Sequence, residues 1–392
     1  CKFDTRYIYL GSQDQGYQRS NLGNQPGPLN FTQVISGDYG HLTSSDDGNT
    51  IWTVYPGFAM YFADAFTSNP SSFYNFPTNA DMLWLPPIIA DVNNVNIAYL
   101  AGGAITGNGS HIIQLVSTGG NISATQLPFN FRAASGGGTL SALNYSQVDP
   151  NYWYAMTSNG RFFRSTDAGA NWTMTSNNSI LNAHYFYGHS ILPSKVNPGE
   201  VYIAGSGYSN PGVFKSTDNG ATFSTMNQGL PNTMIYRIDC SPNDEFIFAA
   251  TELGPYVYSR FENRWFELNG TQAPDQVYWN VEYVEPIQTA RFVTYGRGVW
   301  DFKIETGLKI DKLENKQTLA IFPNPAENLI NIQLPKNAKE ISIYNMSGKL
   351  IERISAQNEN MRQLEISSYK TGAYIAVINT AQGLHTGKFI KK

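Results

Sequence analysis

An internal repeat constrains this chain more than any other feature. Ser165-Thr166-Asp167-Ala168-Gly169-Ala170-Asn171-Trp172 returns as Ser216-Thr217-Asp218-Asn219-Gly220-Ala221-Thr222-Phe223, so the aspartates Asp167 and Asp218 stand 51 positions apart. The similarity reaches upstream: Asp149-Pro150 leads to Tyr152-Trp153-Tyr154-Ala155, and Asn197-Pro198 to Val201-Tyr202-Ile203-Ala204. Each unit therefore holds a turn, an apolar strand, a glycine turn, a second strand and an S-T-D-x-G-x-x-aromatic segment. A period of this size means stacked supersecondary units, each too small to bury its own apolar face. Composition agrees: 14% aromatic, 14% charged and 35 glycines suit antiparallel strands joined by tight turns.

Fainter copies extend the array. Phe246-Ile247-Phe248-Ala249-Ala250, then Tyr256-Val257-Tyr258-Ser259 and Trp265, form a unit without the Asp and Gly, and Thr294-Tyr295-Gly296-Arg297-Gly298-Val299-Trp300 closes the series. Ile51-Trp52-Thr53-Val54 and Ile97-Ala98-Tyr99-Leu100 hold the same place in earlier units. Ser44-Ser45-Asp46-Asp47-Gly48 imitates the motif with its aromatic one residue late, and is read as the turn before a strand. Boundaries near residues 31, 81, 131, 181, 229 and 271 give five full units and a sixth of three strands, with residues 1 to 30 supplying part of another.

The pattern resembles the Asp-box, or BNR, repeat of sialidase-like and sortilin-like β-propellers. The resemblance implies an all-β propeller of about seven blades over residues 1–302, in which Ser165, Asp167, Gly169 and Trp172, and likewise Ser216, Asp218, Gly220 and Phe223, are structural. An aspartate can accept backbone N–H bonds across a turn, glycine supplies positive φ, and the aromatic packs on the sheet. In such a blade the turns between second and third strands lie on the face opposite the Asp boxes. Here those turns differ: Ser12-Gln13-Asp14-Gln15-Gly16, Ser158-Asn159-Gly160, Tyr208-Ser209-Asn210, Glu252-Leu253-Gly254 and Tyr295-Gly296-Arg297. Variable polar loops on a rigid scaffold are where function usually resides.

Inner strands add candidates. Tyr39-Gly40-His41 recurs as Tyr187-Gly188-His189, and Asp38, Arg237, Asp239 and Glu282 take comparable places. With Gln13, Asp14, His41, His189, Arg237, Glu252, Tyr295 and Arg297 they define an expected ligand-binding face, open to a sugar or a peptide end. Solvated, paired charges in a wet channel are the plainer reading of the same residues. For a glycoside hydrolase two carboxylates must straddle the substrate, and Asp14, Asp38, Asp239 and Glu282 are the candidates. Gln13-Asp14-Gln15-Gly16 and Gly37-Asp38-Tyr39-Gly40 are similar to stretches of sortilin-like and xyloglucanase-like propellers, which marks fold rather than activity. Tyr236-Arg237-Ile238-Asp239 is similar to a sialidase F/Y-R-I-P element, with aspartate in place of proline.

No cofactor is expected, and no metal set has suitable spacing, although a structural Ca²⁺ on a propeller turn stays open. A formal net charge of −4 argues against a nucleic-acid partner. No apolar run is long enough for a transmembrane segment. Cys1 and Cys240 make neither a framework nor a metal site, and a bridge between them is left open. Cys1 also fits a lipid-modified start, while Tyr7-Ile8-Tyr9-Leu10 already has strand character. Without initiator Met or signal peptide, the chain is expected to be a processed form or a C-terminal fragment with sequence upstream.

After Trp300 the composition changes. Residues 303–317 carry seven charged residues and no aromatic, as in a solvated linker. Residues 318–392 then hold Phe322-Pro323-Asn324-Pro325, a hairpin Tyr344-Asn345-Met346-Ser347-Gly348-Lys349, the strand Thr371-Gly372-Ala373-Tyr374-Ile375 and the tail Lys388-Phe389-Ile390-Lys391-Lys392. Their spacing predicts about seven short strands in a small immunoglobulin-like β-sandwich. In this order the elements resemble the type A sorting domain of type IX secretion cargo from Bacteroidetes. The resemblance implies export across the outer membrane to the cell surface or beyond. It also implies handling by the translocon and a β-barrel shuttle receptor, and often cleavage by a sortase-like peptidase. The expected function is thus a secreted surface propeller binding a glycan or protein, with a secreted glycoside hydrolase as the alternative.

Overall fold

The computed structural model describes the chain apart from residues 39, 78–81, 176–187, 207–210, 269–272, 305–316, 346–348, 357–358 and 381–382. The chain divides into two compact units, Cys1–Glu305 and Thr306–Lys392.

In the first unit the described strands form seven consecutive antiparallel sheets. Five have four strands, and the first and last have three. Leu140–Tyr145, Trp153–Thr157, Phe162–Ser165 and Thr173–Met174 typify one sheet, and Gly188–Pro193, Val201–Gly205, Val213–Ser216 and Ser224–Thr225 the next. Their second strands are buried on both faces (Trp153 to Thr157, Val201 to Gly205), which explains their unbroken apolar sequence. Successive sheets share cores: Tyr154, Met156 and Phe162 pack with Ile191, Ile203 and Phe214. First strands of neighbouring sheets lie against one another. Side chains rather than a backbone ladder tie them, as Asn144 Nδ2 donates to Ile191 O at 2.8 Å and Ile238 N to Ser190 Oγ at 3.2 Å.

The repeated motif builds the turn between third and fourth strands. Ser216 Oγ donates to Asp218 Oδ1 (2.8 Å) and accepts from Gly220 N (2.8 Å), while Asp218 Oδ1 accepts from Thr222 N (2.8 Å). Ser165, Asp167, Gly169 and Asn171 repeat this at 2.7, 3.0 and 2.8 Å. Positive φ falls on two residues in each turn, Ala168 (55°) with Gly169 (82°) and Asn219 (58°) with Gly220 (74°). A left-handed alanine is costly. Its amide is held by Asn151 O at 2.9 Å, as Asn219 N is by Gly199 O at 2.7 Å. The upstream Pro turn and the box therefore touch, which is why both recur in the sequence repeat.

Ser44–Gly48 corrects an expectation. It does precede a strand, yet it makes the same bonds: Ser44 Oγ to Asp46 Oδ1 (2.8 Å), Gly48 N to Ser44 Oγ (2.9 Å) and Thr50 N to Asp46 Oδ1 (2.9 Å). The late aromatic does not matter, because serine, aspartate and glycine alone close the turn. It lies between first and second strands of its sheet, not third and fourth.

The last sheet reaches back to the first residues. Arg291, buried, forms a two-pronged pair with Asp301 (2.7 Å for each bond) and also donates to Gly23 O at 3.3 Å.

The second unit has a five-stranded and a three-stranded sheet. Gly372–Thr380 and Gly383–Lys391 pair along nine residues each. One core, including Ile330, Ile332, Ile341, Ile343, Tyr374, Ala376 and Phe389, draws on both sheets.

Candidate functional site

Four consecutive first strands share an irregularity. Pairing with the second strand skips one residue between Leu140 and Ala142, Gly188 and Ser190, Ile235 and Arg237, and Tyr278 and Asn280. The extra residues are Ser141, His189, Tyr236 and Trp279. A bulge leaves its residue out of the ladder and re-aims the side chain, and bulges concentrate beside functional sites. Here the rings meet: His189 to Tyr236 at 5.6 Å, edge to face, Tyr236 to Trp279 at 4.4 Å, stacked, and Trp279 to Tyr295 at 5.8 Å. Trp279 and Tyr295 keep 48% and 67% of their surface exposed.

Several expected site residues border this arc. Tyr295 belongs to it, and Tyr295 N donates to Val277 O at 3.0 Å, fixing the Tyr295-Gly296-Arg297 turn against the inner strand. Arg297, exposed in that turn, takes its amide hydrogen bond to Thr294 Oγ1 at 3.0 Å. Glu252 N donates to Met234 O at 3.0 Å, and the Glu252 charge, after burial, pushes the Tyr236 phenol pKa up. Arg237 follows the bulge and is exposed. It acts on both imidazoles. Desolvation foremost, then Arg237 and His189, push His41 down to about 4 although the residue keeps an exposed side, and desolvation with Arg237 lowers half-buried His189. Both are therefore neutral at pH 7.

The candidate carboxylates are occupied differently. Asp38 Oδ1 accepts from Asp14 N at 2.8 Å, and Gln33 Nε2 donates to Gln15 O at 2.7 Å, closing the Gln13-Asp14-Gln15 turn. Asp14, with φ 59°, and Gln13 are exposed in that turn. Asp239 accepts from Tyr283 N (2.7 Å) and Cys240 N (2.8 Å) and pairs with Lys195 Nζ at 3.0 Å. Burial opposes its ionisation, but Lys195 and these amides together hold its carboxyl below the usual range. Glu282 is exposed on the inner strand Tyr278–Val284. Tyr39, Tyr187 and the segment 208–210 lie outside the described residues.

Cys1 and Cys240 are both free thiols, and buried Cys240 donates to Asp244 Oδ1 at 3.1 Å. Among the described residues no three His, Cys, Asp or Glu cluster to hold a metal. Asp91 accepts from Asn93 N, Asn94 N and Tyr99 Oη at 2.8–2.9 Å. No described helix is long and apolar enough to cross a membrane.

In the second unit the sorting elements converge. Asn324 bonds one edge of the last strand twice: its Nδ2 donates to Lys388 O at 2.9 Å, and its Oδ1 accepts from Ile390 N at 2.9 Å. Lys392 N reaches Ala326 O at 2.9 Å, and the bonds preceding Pro323 and Pro325 are cis. Pro323, Asn324, Pro325, Lys388 and Lys392 are exposed there, and Lys391 is half-buried. Gly372, φ 156°, faces Lys391 in the ladder, and Tyr374 is buried against Phe389 with its hydroxyl on Lys370 O at 2.8 Å. Lys349 N donates to Asn345 Oδ1 at 2.9 Å across the hairpin, whose tip, with Gly348, lies outside the described residues.

Comparisons define the class of each unit. Residues 320–392 match the family model described as secretion system C-terminal sorting domain. Solved β-propellers resemble the rest. The β-propeller domain of Cps50 (Swd1) from Myceliophteria thermophila is 11% identical, with TM-score 0.57 over 77% of this chain and 93% of that one. YCF48 bound to D1 peptide is 13% identical, with TM-score 0.54 over 77% and 91%. The WD40 propeller domain of Doa1 is 10% identical, with TM-score 0.53 over 76% and 90%. No curated protein matches the chain.

The chain thus carries a β-propeller fold followed by a type IX secretion sorting domain. That tail marks it for handling by the secretion machinery and export across the outer membrane, to the cell surface or the extracellular space.

Proposed function

We propose that the exported propeller is a binding module for a glycan or protein at the cell surface, and that it acts without a cofactor. The observation that carries this reading is how the candidate carboxylates are used. Asp38 holds the Asp14 turn, and Asp239 is committed to Lys195 and two backbone amides. A general acid needs a carboxyl pushed up, as in an apolar pocket, whereas Asp239 is pushed down. The ligand belongs on the face of the variable turns, where Glu252, Tyr295 and Arg297 border an exposed aromatic arc. A hydrolase acting through Asp14 and Asp38 is the second reading, favoured only by their adjacency.

Finer points follow the same reading. The seven sheets are the blades of an Asp-box ring closed near Arg291, and the tail is an immunoglobulin-like sandwich of the Bacteroidetes type. Its partners are a β-barrel shuttle receptor and a sortase-like peptidase. Incubating the chain with a polysaccharide panel separates the two functions: retention without release of reducing ends is expected. Hydrolysis that disappears in Asp38→Asn overturns the binding-module reading.

A further inference from the structure

Neighbouring sheets of the first unit are joined in two ways, and both stop at one seam. Six core clusters each draw on two consecutive sheets, from Tyr17 with Ile51 and Phe62 at the first junction to Phe248 with Tyr283 and Phe292 at the last. Among the described residues no such cluster joins the seventh sheet to the first. Side chains also tie each inner strand to the backbone of the next. Ala90 N donates to Thr43 Oγ1 at 3.2 Å, Tyr145 Oη to Ala90 O at 2.7 Å and Asn144 Nδ2 to Ile191 O at 2.8 Å. Ile238 N donates to Ser190 Oγ at 3.2 Å and Tyr283 N to Asp239 Oδ2 at 2.7 Å. Counted from the bulge, Asn280 stands where Ser190 does, and Glu282 where Asn144 and Asp239 do. Both are exposed. The last inner strand thus carries the side chains of a tie, and among the described residues no further inner strand receives them.

The first sheet supplies the reason. Turns between second and third strands lie where the chain enters an inner strand: Ser158 N donates to Thr139 O, Glu252 N to Met234 O and Tyr295 N to Val277 O, at 2.8–3.0 Å. The turn between Ile8–Ser12 and Gly16–Ser20 lies on that same side, since Asp14 N donates to Asp38 Oδ1 just ahead of the inner strand Leu42–Thr43. Ile8–Ser12 is therefore a second strand. Cys1–Arg6 lies at its other end, where first-second turns belong. There Phe3 N donates to Asp47 O at 2.8 Å and Gly23 N to Arg6 O at 2.7 Å. Arg291, across the ladder from Glu282, reaches Gly23 O from the last sheet.

We propose that the residues joined to the amino side of Cys1 form the inner strand of the first sheet. This strand runs antiparallel to Ile8–Ser12, lies between Tyr278–Val284 and Leu42–Thr43, and ends at Cys1. About five residues suffice, the usual length of a strand. An edge strand leaves a row of N–H and C=O groups unpaired, and the added strand pairs those of Ile8–Ser12. One of its own N–H groups meets the Glu282 carboxylate, as Tyr283 N meets Asp239. Continuity selects this occupant, because a segment joined to Cys1 is held beside its place at an effective concentration that a free peptide lacks. Ring closure calls for such a strand whether or not the propeller binds a ligand.

The test compares the protein isolated from the cells that secrete it with a chain starting at Cys1. Intact-mass analysis and peptide mapping should find residues ahead of Cys1 in the secreted form. Amide exchange over Ile8–Ser12 should be slower there by about tenfold or more, as for exchange through local opening instead of from an open edge. Glu282→Ala should remove several-fold of that protection and leave the chain starting at Cys1 unchanged, with the same far-UV circular dichroism in both. A secreted form whose amino terminus is Cys1 overturns the proposal, and so does equal exchange in the two forms. Protection that rises with protein concentration means a strand lent by a second copy, and overturns it as well. Protection indifferent to Glu282→Ala overturns the place beside the last sheet. Each of these failures leaves the binding module standing.

Discussion

Ser216 is 2% exposed, and its hydroxyl is the hub of its turn, donating to Asp218 and accepting from the amide of Gly220. Ser216→Ala leaves that amide without a partner in a space closed to water. The cost of a buried unsatisfied donor is about 1–3 kcal/mol. Denaturant unfolding of the propeller should show that loss, whereas exposed Ser224→Ala should stay within about 0.5 kcal/mol; equal effects would deny the hydroxyl its role. His41 behaves differently, because its folded pKa is about 4 against 6.5 when free. Between those values the unfolded chain binds a proton that the folded site resists, so this contribution to stability is full above pH 6.5 and falls as pH drops towards 4, damped by the exposure of His41 to solvent. Melting temperatures of wild type and His41→Gln should diverge in slope across that window, and parallel curves would sink the assignment. The box residues were legible in the sequence because the same few atoms close every such turn. The shift of His41 was not, since it depends first on desolvation and then on Arg237 and His189, all set by the tertiary fold.

At the scale of elements, the inner strands show what one sequence can hide. Tyr236 and Trp279 look like ordinary alternating strand residues, and only the register with the neighbouring strand of the same sheet reveals that each is an extra residue. Aligning Gly188-His189, Ile235-Tyr236 and Tyr278-Trp279 was the available signal, blurred because the residue types differ. The sorting motif was legible as a set of conspicuous segments, but not as a clamp. Asn324 lies 64 and 66 positions from its two backbone partners. Asn324→Ala should remove both bonds at the open edge of the last strand. Amide exchange at Ile390 should accelerate by at least tenfold, corresponding to about 1.4 kcal/mol of local opening. Secreted yield should fall with it, and unchanged protection at Ile390 would refute the clamp.

At the scale of the whole molecule, each unit closes its own core. Among the described residues, those that cluster with Ile330, Ile341 and Phe389 all come from the second unit, and no other core cluster includes a residue of it. Stability then resides in each unit separately, as expected of compact domains with their own cores. Residues 306–392 fused behind an unrelated periplasmic passenger should therefore carry it across the outer membrane in a host with type IX secretion. The propeller, ending at residue 305 and given an inner-membrane export signal, should fold and keep its ligand but stay in the periplasm. Fractionation and surface proteolysis read the outcome directly. A passenger that remains inside, although the fused tail is folded by amide exchange, would mean that the propeller contributes to recognition by the secretion machinery.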